Sequence, residues 1–541
     1  MAQAKQQYDV VIIGGGHNGL TTAGYLSRAG YSVKVLERRD VVGGAAVTEE
    51  FHPGFRNSVC SYVVGLLNPK IVEDLELSKY GLEIMMPEED SVMIPNEDGG
   101  VLIICSNEEF TKQQIDRISP NDWDNWVKLH DILEHCADVV RDIVLETPAN
   151  IGGGLGDIMR LGKVGNRLRK LSPEMQHYFA KMMVMSVWEF LDEWLESDAL
   201  KASLSSTSFI GTMASPYAPG TAYVLLHHFF GEIDGEKGAW GHAKGGMGSI
   251  TQAMAKSAEA FGADIETGAS VKQVIVENGV ARGVELDDGR KIYGKAIAAN
   301  TNPKLLFNKL VAPEHLEPEF LRRMNNYRCV SGTFRMNVAL TELPDFSCLH
   351  DLPKERQDAA IKGMISLSPT MKHYEQAFID AHQRGWSKKP SLEIYIPSTL
   401  DNTLAPEGQH VMSLFAQHFN PNLPDGLSWD DIREQVADEI INYVNQFAPN
   451  FKDSIVGRQI KSPLDLEREF GLVGGDIFHG ALAFDQMYSM RPTTGYADYR
   501  MPVKNLYLCG SGAHPGGGVS GCPGHNAARE IKKDLKWRRV A

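Results

Sequence analysis

The chain reads as an α/β protein: a Rossmann-type nucleotide-binding sheet with a mixed α+β region set into it. Three observations predict this. Residues 9–13 (DVVII) are a continuous apolar run that ends in Gly14-x-Gly16-x-x-Gly19; residues 33–36 repeat the buried-strand pattern and end at Glu37. About 490 residues later, LYLCGSGAHPGGGVSG returns to the strand-then-glycine pattern.

Taken in order, the first strand needs its unbroken apolar run because a parallel strand is covered on both faces. Gly14 permits the tight turn, Gly16 lets a pyrophosphate approach the backbone, and Gly19 lets the next helix pack close. A helix is predicted from Asn18 to Ala29, with His17 and Asn18 at its phosphate-facing end, where free N–H groups and the helix dipole favour an anion. Gly30 stops that helix, and Glu37 closes the second strand where a carboxylate can accept from both ribose hydroxyls.

A chain of 541 residues exceeds one core and implies two or three domains that need not be contiguous. With 54 basic and 69 acidic residues the net charge is −15, which argues against nucleic acid as a partner. The seven cysteines are scattered without a CxxC or CxxxxC pair, and no histidine spacing suits a metal, so reduced thiols and no metal site are expected. No apolar run nears the roughly 18 residues a membrane span needs. The chain reads as cytoplasmic, with attachment to a membrane surface left open.

Past Glu37 the phrase ERRDVVGGAAVTEEFHPGF places Gly43-Gly44 beyond the ribose acid. This extended signature resembles that of the amine oxidase and phytoene desaturase superfamily of FAD-dependent oxidoreductases. FRNSVCSYVVGLLNPK narrows the resemblance to a phytoene-dehydrogenase-related branch, the pyridine nucleotide-disulfide oxidoreductase domain-containing protein 2-like group, near the flavoprotein-type β-carotene ketolases. The resemblance implies FAD as cofactor and a two-dinucleotide-binding-type domain assembled from residues 1–75, 240–305 and 490–541. Residues 76–239 and 306–489 are then the substrate domain, an antiparallel sheet plus helices with a helical cap. The family's arginine after the glycine pair is Ala45 here, which leaves Arg38 and Arg56 as candidates to neutralise the pyrophosphate. At the position of Val271 the family's backbone contacts the adenine. Gly510, Ser511, Gly517, Gly518 and Val519 lie in the motif that faces the ribityl chain and isoalloxazine, with Ser511 where many relatives carry Asp.

Between these motifs, Ser119-Pro120 reads as a helix N-cap with proline at the first position, and Ser172-Pro173 as a second. Met182, Met183, Met185, Trp188, Phe190, Leu191 and Trp194 read first as core, with the wall of a lipid tunnel as the sharper alternative. The GGGLG of residues 152–156 reads as a loop. Residues 249–261 are predicted helical, followed by strands with turns at residues 277–279 and 287–289. Strands are expected at residues 332–340, 391–397 and 410–419, and a helix capped by Ser428 at residues 429–447. The basic tail, Lys532 to Arg539, reads as complementing a helix dipole, with anionic lipid as the minority reading.

The resemblance implies hydride transfer between flavin N5 and a carbon–carbon bond of an apolar, carotenoid-like or other lipid substrate, by desaturation, saturation or isomerisation, with oxygen or a quinone as electron acceptor. An FAD-dependent amine oxidase and a regulatory flavoprotein holding FAD as a structural element are the alternatives. No catalytic acid or base is evident. His514, in the flavin-facing motif, is the one histidine to test, against the plainer reading that it orders its loop. The sequence sets no oligomeric state.

Overall fold

The computed structural model describes residues 7–89 and 91–540, with side chains to residue 536. The elements used below are β1 (Gln7–Ile13), α1 (His17–Arg28), β2 (Val33–Leu36), β3 (Ser91–Pro95), β4 (Val101–Cys105), α2 (Trp123–Val144) and α3 (Leu155–Lys170). Next come α4 (Gly248–Ala260), β5 (Asp264–Glu266), β6 (Val271–Glu277), β7 (Val280–Leu286) and β8 (Lys291–Ala299). The remainder are β9 (Phe334–Leu340), β10 (Met364–Ser366), β11 (Trp386–Tyr395), β12 (His410–Phe419), α5 (Trp429–Val444), β13 (Ile455–Lys461), β14 (Leu506–Leu508) and α6 (Cys522–Val540).

The first sheet runs β5-β2-β1-β8-β7-β6, with β14 beside β8. Its parallel half joins β1 to β2 and β8, with Val10 opposite both Val33 and Ala296, while β6 to β8 form an antiparallel meander. The apolar run has its cause here: Val10, Val11 and Ile12 expose nothing, since Ala23 and Leu26 of α1, Ala258 of α4 and Ile531 of α6 share their core. Three distant segments thus pool their strands, and β14 enters the sheet by pairing Leu506 with Ile297.

The second sheet runs β13-β9-β12-β11-β10-β3-β4 and is antiparallel apart from the β10–β3 pair. One face is apolar: Phe334, Met336, Val338 and Leu414 meet Val436, Ile440 and Val444 of α5. Each such side chain, fully buried, stabilises by roughly 1.5–3 kcal/mol. Helix α5 starts at a capping box in which Ser428 and Asp431 bond each other's backbone N–H. Alternate residues turn to the other face, so Arg335, Glu393, Ser413, Phe415 and Gln417 share it.

Two local expectations are corrected. Ser119 closes the preceding helix, Glu108–Ile118, and α2 starts only at Trp123 behind Asp122. The residue before a proline is pushed out of helical geometry, as the Ser119 φ of −158° and ψ of 89° show, and the buried Asp122 carboxylate accepts from Glu196 N and Ser197 N. The GGGLG stretch is loop only to Gly154, because α3 starts at Leu155; Asp157 in its first turn accepts from Asn150 N at 2.9 Å and suits the positive end of the helix. Ser172 does cap the helix Pro173–Val184, and Met182, Phe190 and Leu191 are buried in the largest core cluster. The described part of the basic tail lies on α6, where Lys533 pairs with Glu530; the side chains of Arg538 and Arg539 lie outside the described residues. All seven cysteines are free thiols, and among the described residues no helix is long and apolar enough to cross a membrane.

Candidate functional site

Strand β1 runs into Gly14, whose φ of 97° glycine alone adopts without strain, and whose N–H donates to Leu36 O at 2.8 Å. Gly19, in the first turn of α1, has no room for a side chain: a Cβ there would lie 2.2 Å from Gly14 O. The carboxylate of Glu37 is set by two backbone donors, Gly15 N to Oε2 at 2.8 Å and Arg39 N to Oε1 at 2.9 Å. Each oxygen keeps a further lone pair, so the group is oriented yet still able to accept from a ribose. Gly43 N donates to Gly15 O at 2.9 Å, which brings the glycine pair beside the loop.

A cleft opens above this loop, and nine of the predicted residues line it: Gly14, Gly16, His17, Glu37, Arg38, Gly44, Ala45, Val271 and Ser511. Asn18 stands behind the wall and donates from Nδ2 to Ser511 Oγ at 3.1 Å, joining the two glycine motifs across 493 residues of chain. Gly510 rests on Asn300, which with its amide oxygen turned to the loop accepts from Gly16 N at 3.2 Å and Gly19 N at 3.3 Å. Gly517 and Gly518 pack on Phe478 and Leu66, and Val519 joins the core cluster that holds Leu66. His514 turns away from the cleft. Its Nε2 donates to Ile143 O at 3.0 Å, its own carbonyl accepts from Tyr499, and burial pushes its pKa down to about 4. That geometry fits the plainer, loop-ordering reading of this histidine.

Sequence reasoning missed several wall residues. Arg56 is exposed on the strand Phe55–Ser58, whereas Arg39 lines the cleft, ion-paired to Glu49 and 4.7 Å over the ring of Phe470. Arg38 also lines it, with Nη2 donating to Arg468 O at 3.0 Å and Glu469 O at 2.6 Å. Asn300, Thr301, Phe470, Ile477 and His479 also line it. The arginine pair was visible in ERRD; the stretch at residues 469–479 carries no local signal and arrives by tertiary folding. Arg491, also missed, is fully buried and donates to the carbonyls of Phe478, Gly480, Gln486 and Ser511, which ties that stretch to the C-terminal motif.

Burial lowers the pKa of His17 to about 3 and that of His479 to about 4, so both rings are neutral at physiological pH. Four wall atoms are buried with no partner among the described residues: His17 Nε2, Arg39 Nη1, Thr301 Oγ1 and His479 Nδ1. Buried polar atoms require partners. A cation, a hydroxyl and two neutral imidazoles lining one cleft with a ribose-ready carboxylate and a helix N-terminus fit a dinucleotide such as FAD.

Ile477 leaves the cleft wall for a second environment. It packs against Tyr62, Tyr395 and Phe415, with Ile210 and Met364 alongside. The Arg335 guanidinium lies 4.7 Å over the ring of Tyr62, whose hydroxyl donates to Glu393 Oε2 at 2.5 Å. Arg335 Nη2 donates to Ser413 at 2.7 Å, while its Nη1 and both amide atoms of Gln417 are buried without partners among the described residues. Burial lifts the Glu393 carboxyl to about 7 and lowers Arg335 to about 10, so the guanidinium stays charged at neutral pH.

Residues 19–334 match the flavin containing amine oxidoreductase family. Over 98% of this chain and 94% of the relative, the sequence is 39% identical to pyridine nucleotide-disulfide oxidoreductase domain-containing protein 2 of Rattus norvegicus. It is 26% identical to a limonene dehydrogenase subunit from Castellaniella defragrans, covering 99% of this chain and 96% of that protein. Among solved structures, an oxidoreductase from Methanosarcina mazei shares the fold with a TM-score of 0.60 at 16% identity, over 98% and 100% of the two chains.

Proposed function

Because the chain belongs to the flavin-containing amine oxidoreductase family and is an FAD-dependent oxidoreductase, we propose that it adds, removes or relocates hydrogen at a carbon–carbon bond of an apolar, carotenoid-like or other lipid substrate, with oxygen or a quinone as electron acceptor. FAD held in the cleft supplies a ring that takes or returns an electron pair. Glu37 would hold the ribose hydroxyls, the N-terminus of α1 and Arg39 would take the pyrophosphate, and His17 and His479 would offer neutral hydrogen-bonding groups along the wall.

The observation that carries the substrate reading is the position of Ile477, shared by the cleft wall and the cluster of Tyr62, Tyr395 and Phe415. Aromatic and aliphatic side chains there would exclude water and lie along a hydrocarbon. While Glu393 is protonated, below about pH 7, the guanidinium over Tyr62 opposes an ammonium group at that place, which weighs against an amine substrate. The limonene dehydrogenase relative, named for a terpene hydrocarbon, agrees with this.

Anaerobic mixing of the purified yellow protein with polyene or terpene hydrocarbons, with amines and with reduced nicotinamide nucleotides tests the proposal. Bleaching of the flavin absorbance by a hydrocarbon, or reoxidation of the reduced protein by a polyene, is the expected result. Bleaching by amines alone would overturn the substrate reading and leave the family untouched.

A further inference from the structure

Helix α3 forms several turns of regular structure that cover no core. None of its sixteen residues is buried. Leu155 is 80% exposed, Met159 71% and Ile158 61%, and these three fall at i, i+4 and i+3 of one face, with Leu161 and the preceding Ile151 exposed beside them. Gly156, Gly162 and Gly165 interrupt the helix, and a Cβ at each would meet open space. A helix of this length with three glycines, each costing about 1 kcal/mol against alanine, is marginal in water without packing. Its attachment to the rest of the molecule is polar: Asp157 and Arg167 lie on the inner side, and Lys163, one turn beyond Met159, lies at the edge of the apolar face. Lys163 and Arg167 pair with Glu146, and Arg167 donates to Asp142 O, so the helix is held to the C-terminal end of α2 with its apolar face outward.

Charge identifies what covers that face. In a chain of net charge −15, Leu155–Lys170 holds five basic residues, Arg160, Lys163, Arg167, Arg169 and Lys170, against the single acid Asp157. A second copy of the chain meeting this face symmetrically would bring like-charged helices together. An apolar stripe rimmed by lysine and arginine matches a bilayer surface with anionic headgroups, where the stripe enters the acyl boundary and the cations stay among the phosphates. We propose that α3 is a membrane-surface anchor that seats the enzyme on anionic lipid. The inference is independent of the substrate reading, and it moves the lipid contact from the basic C-terminal tail to this helix.

The test uses the full-length flavin-loaded protein and sedimentation with vesicles of phosphatidylcholine, alone or mixed with phosphatidylglycerol. The wild type is expected to partition onto the mixed vesicles, and Leu155→Asp/Met159→Asp to lose at least tenfold in partition. Arg169→Gln and Lys170→Gln should each lose about fivefold on mixed vesicles, as expected for removing one charge near an anionic surface, and nothing on phosphatidylcholine. Since α3 buries no side chain, the variants should keep their flavin and melting temperature, which separates lost anchoring from lost fold. Equal partition of the wild type and the Leu155→Asp/Met159→Asp variant would overturn the proposal. So would a wild-type dimer in light scattering that ignores vesicles and dissociates on that double substitution.

Discussion

Glu393 lies 5% exposed between Tyr62 and the guanidinium of Arg335, and burial is the largest influence on its carboxyl, lifting it from an ordinary 4.5 to about 7. The folded protein therefore holds the proton more tightly than the unfolded chain. The stability this contributes is complete below the ordinary carboxyl value and is lost as pH climbs through about 7. Glu393→Gln keeps an oxygen for the Tyr62 hydroxyl and removes the titration. Its stability relative to wild type should rise by roughly 1–3 kcal/mol between pH 4.5 and 8, read from urea unfolding at several pH values. Asp476, lifted to about 6 by its own burial, adds a slope of the same sign to both proteins, and buried histidines such as His479 and His514, lowered to about 4, add the opposite slope to both, so the difference between the two proteins isolates Glu393. Identical slopes in the two proteins would show that Glu393 is already ionised. Arg491 is the other residue whose environment fixes an outcome: Arg491→Met strands four buried carbonyls at once, and should cost about 3–5 kcal/mol in denaturant unfolding and loosen flavin retention.

At the scale of elements, legibility follows how local the cause is. Strands β1 and β2 and helix α1 could be read to within a residue or two, because a parallel strand writes its burial as an unbroken apolar run and the glycine loop has its own chemistry. The capping box of α5 was equally plain. Helix α3 was missed, since its glycines read as loop and no core-facing stripe contradicts them. The cleft wall at residues 469–479 was missed for the opposite reason: nothing in its own sequence marks it, and Arg491 places it from a distance. Helix α3 carries a prediction of its own. Gly162→Ala has open space for its methyl and a helical backbone to hold, so it should add about 1 kcal/mol to local helix stability, seen as slower amide exchange along α3. Faster exchange there would mean that residue 162 is not helical in solution.

At the scale of the whole molecule, the nucleotide-binding sheet is assembled from three segments that the chain supplies hundreds of residues apart, and the cleft is where they meet the second region. Residues 14–45 provide the loop and the carboxylate, Val271 and Asn300 come from the ends of β6 and β8, Ser511 follows β14, and Ile477 and His479 arrive from the stretch that Arg491 anchors. A dinucleotide spanning that cleft would contact every segment in the folded state and none of them together in the unfolded chain. Its binding free energy is therefore stability shared by both sheets, about 2.7 kcal/mol when free FAD is at a hundred times its dissociation constant. Stripping the flavin should lower the melting temperature by several degrees, restoring FAD should reverse this in a concentration-dependent way, and Arg39→Ala should blunt the response by weakening the site without touching either core. A melting temperature indifferent to FAD would mean that the three segments are held by their strand pairing alone, and that the unpartnered wall atoms of Arg39, His17, Thr301 and His479 are satisfied by water.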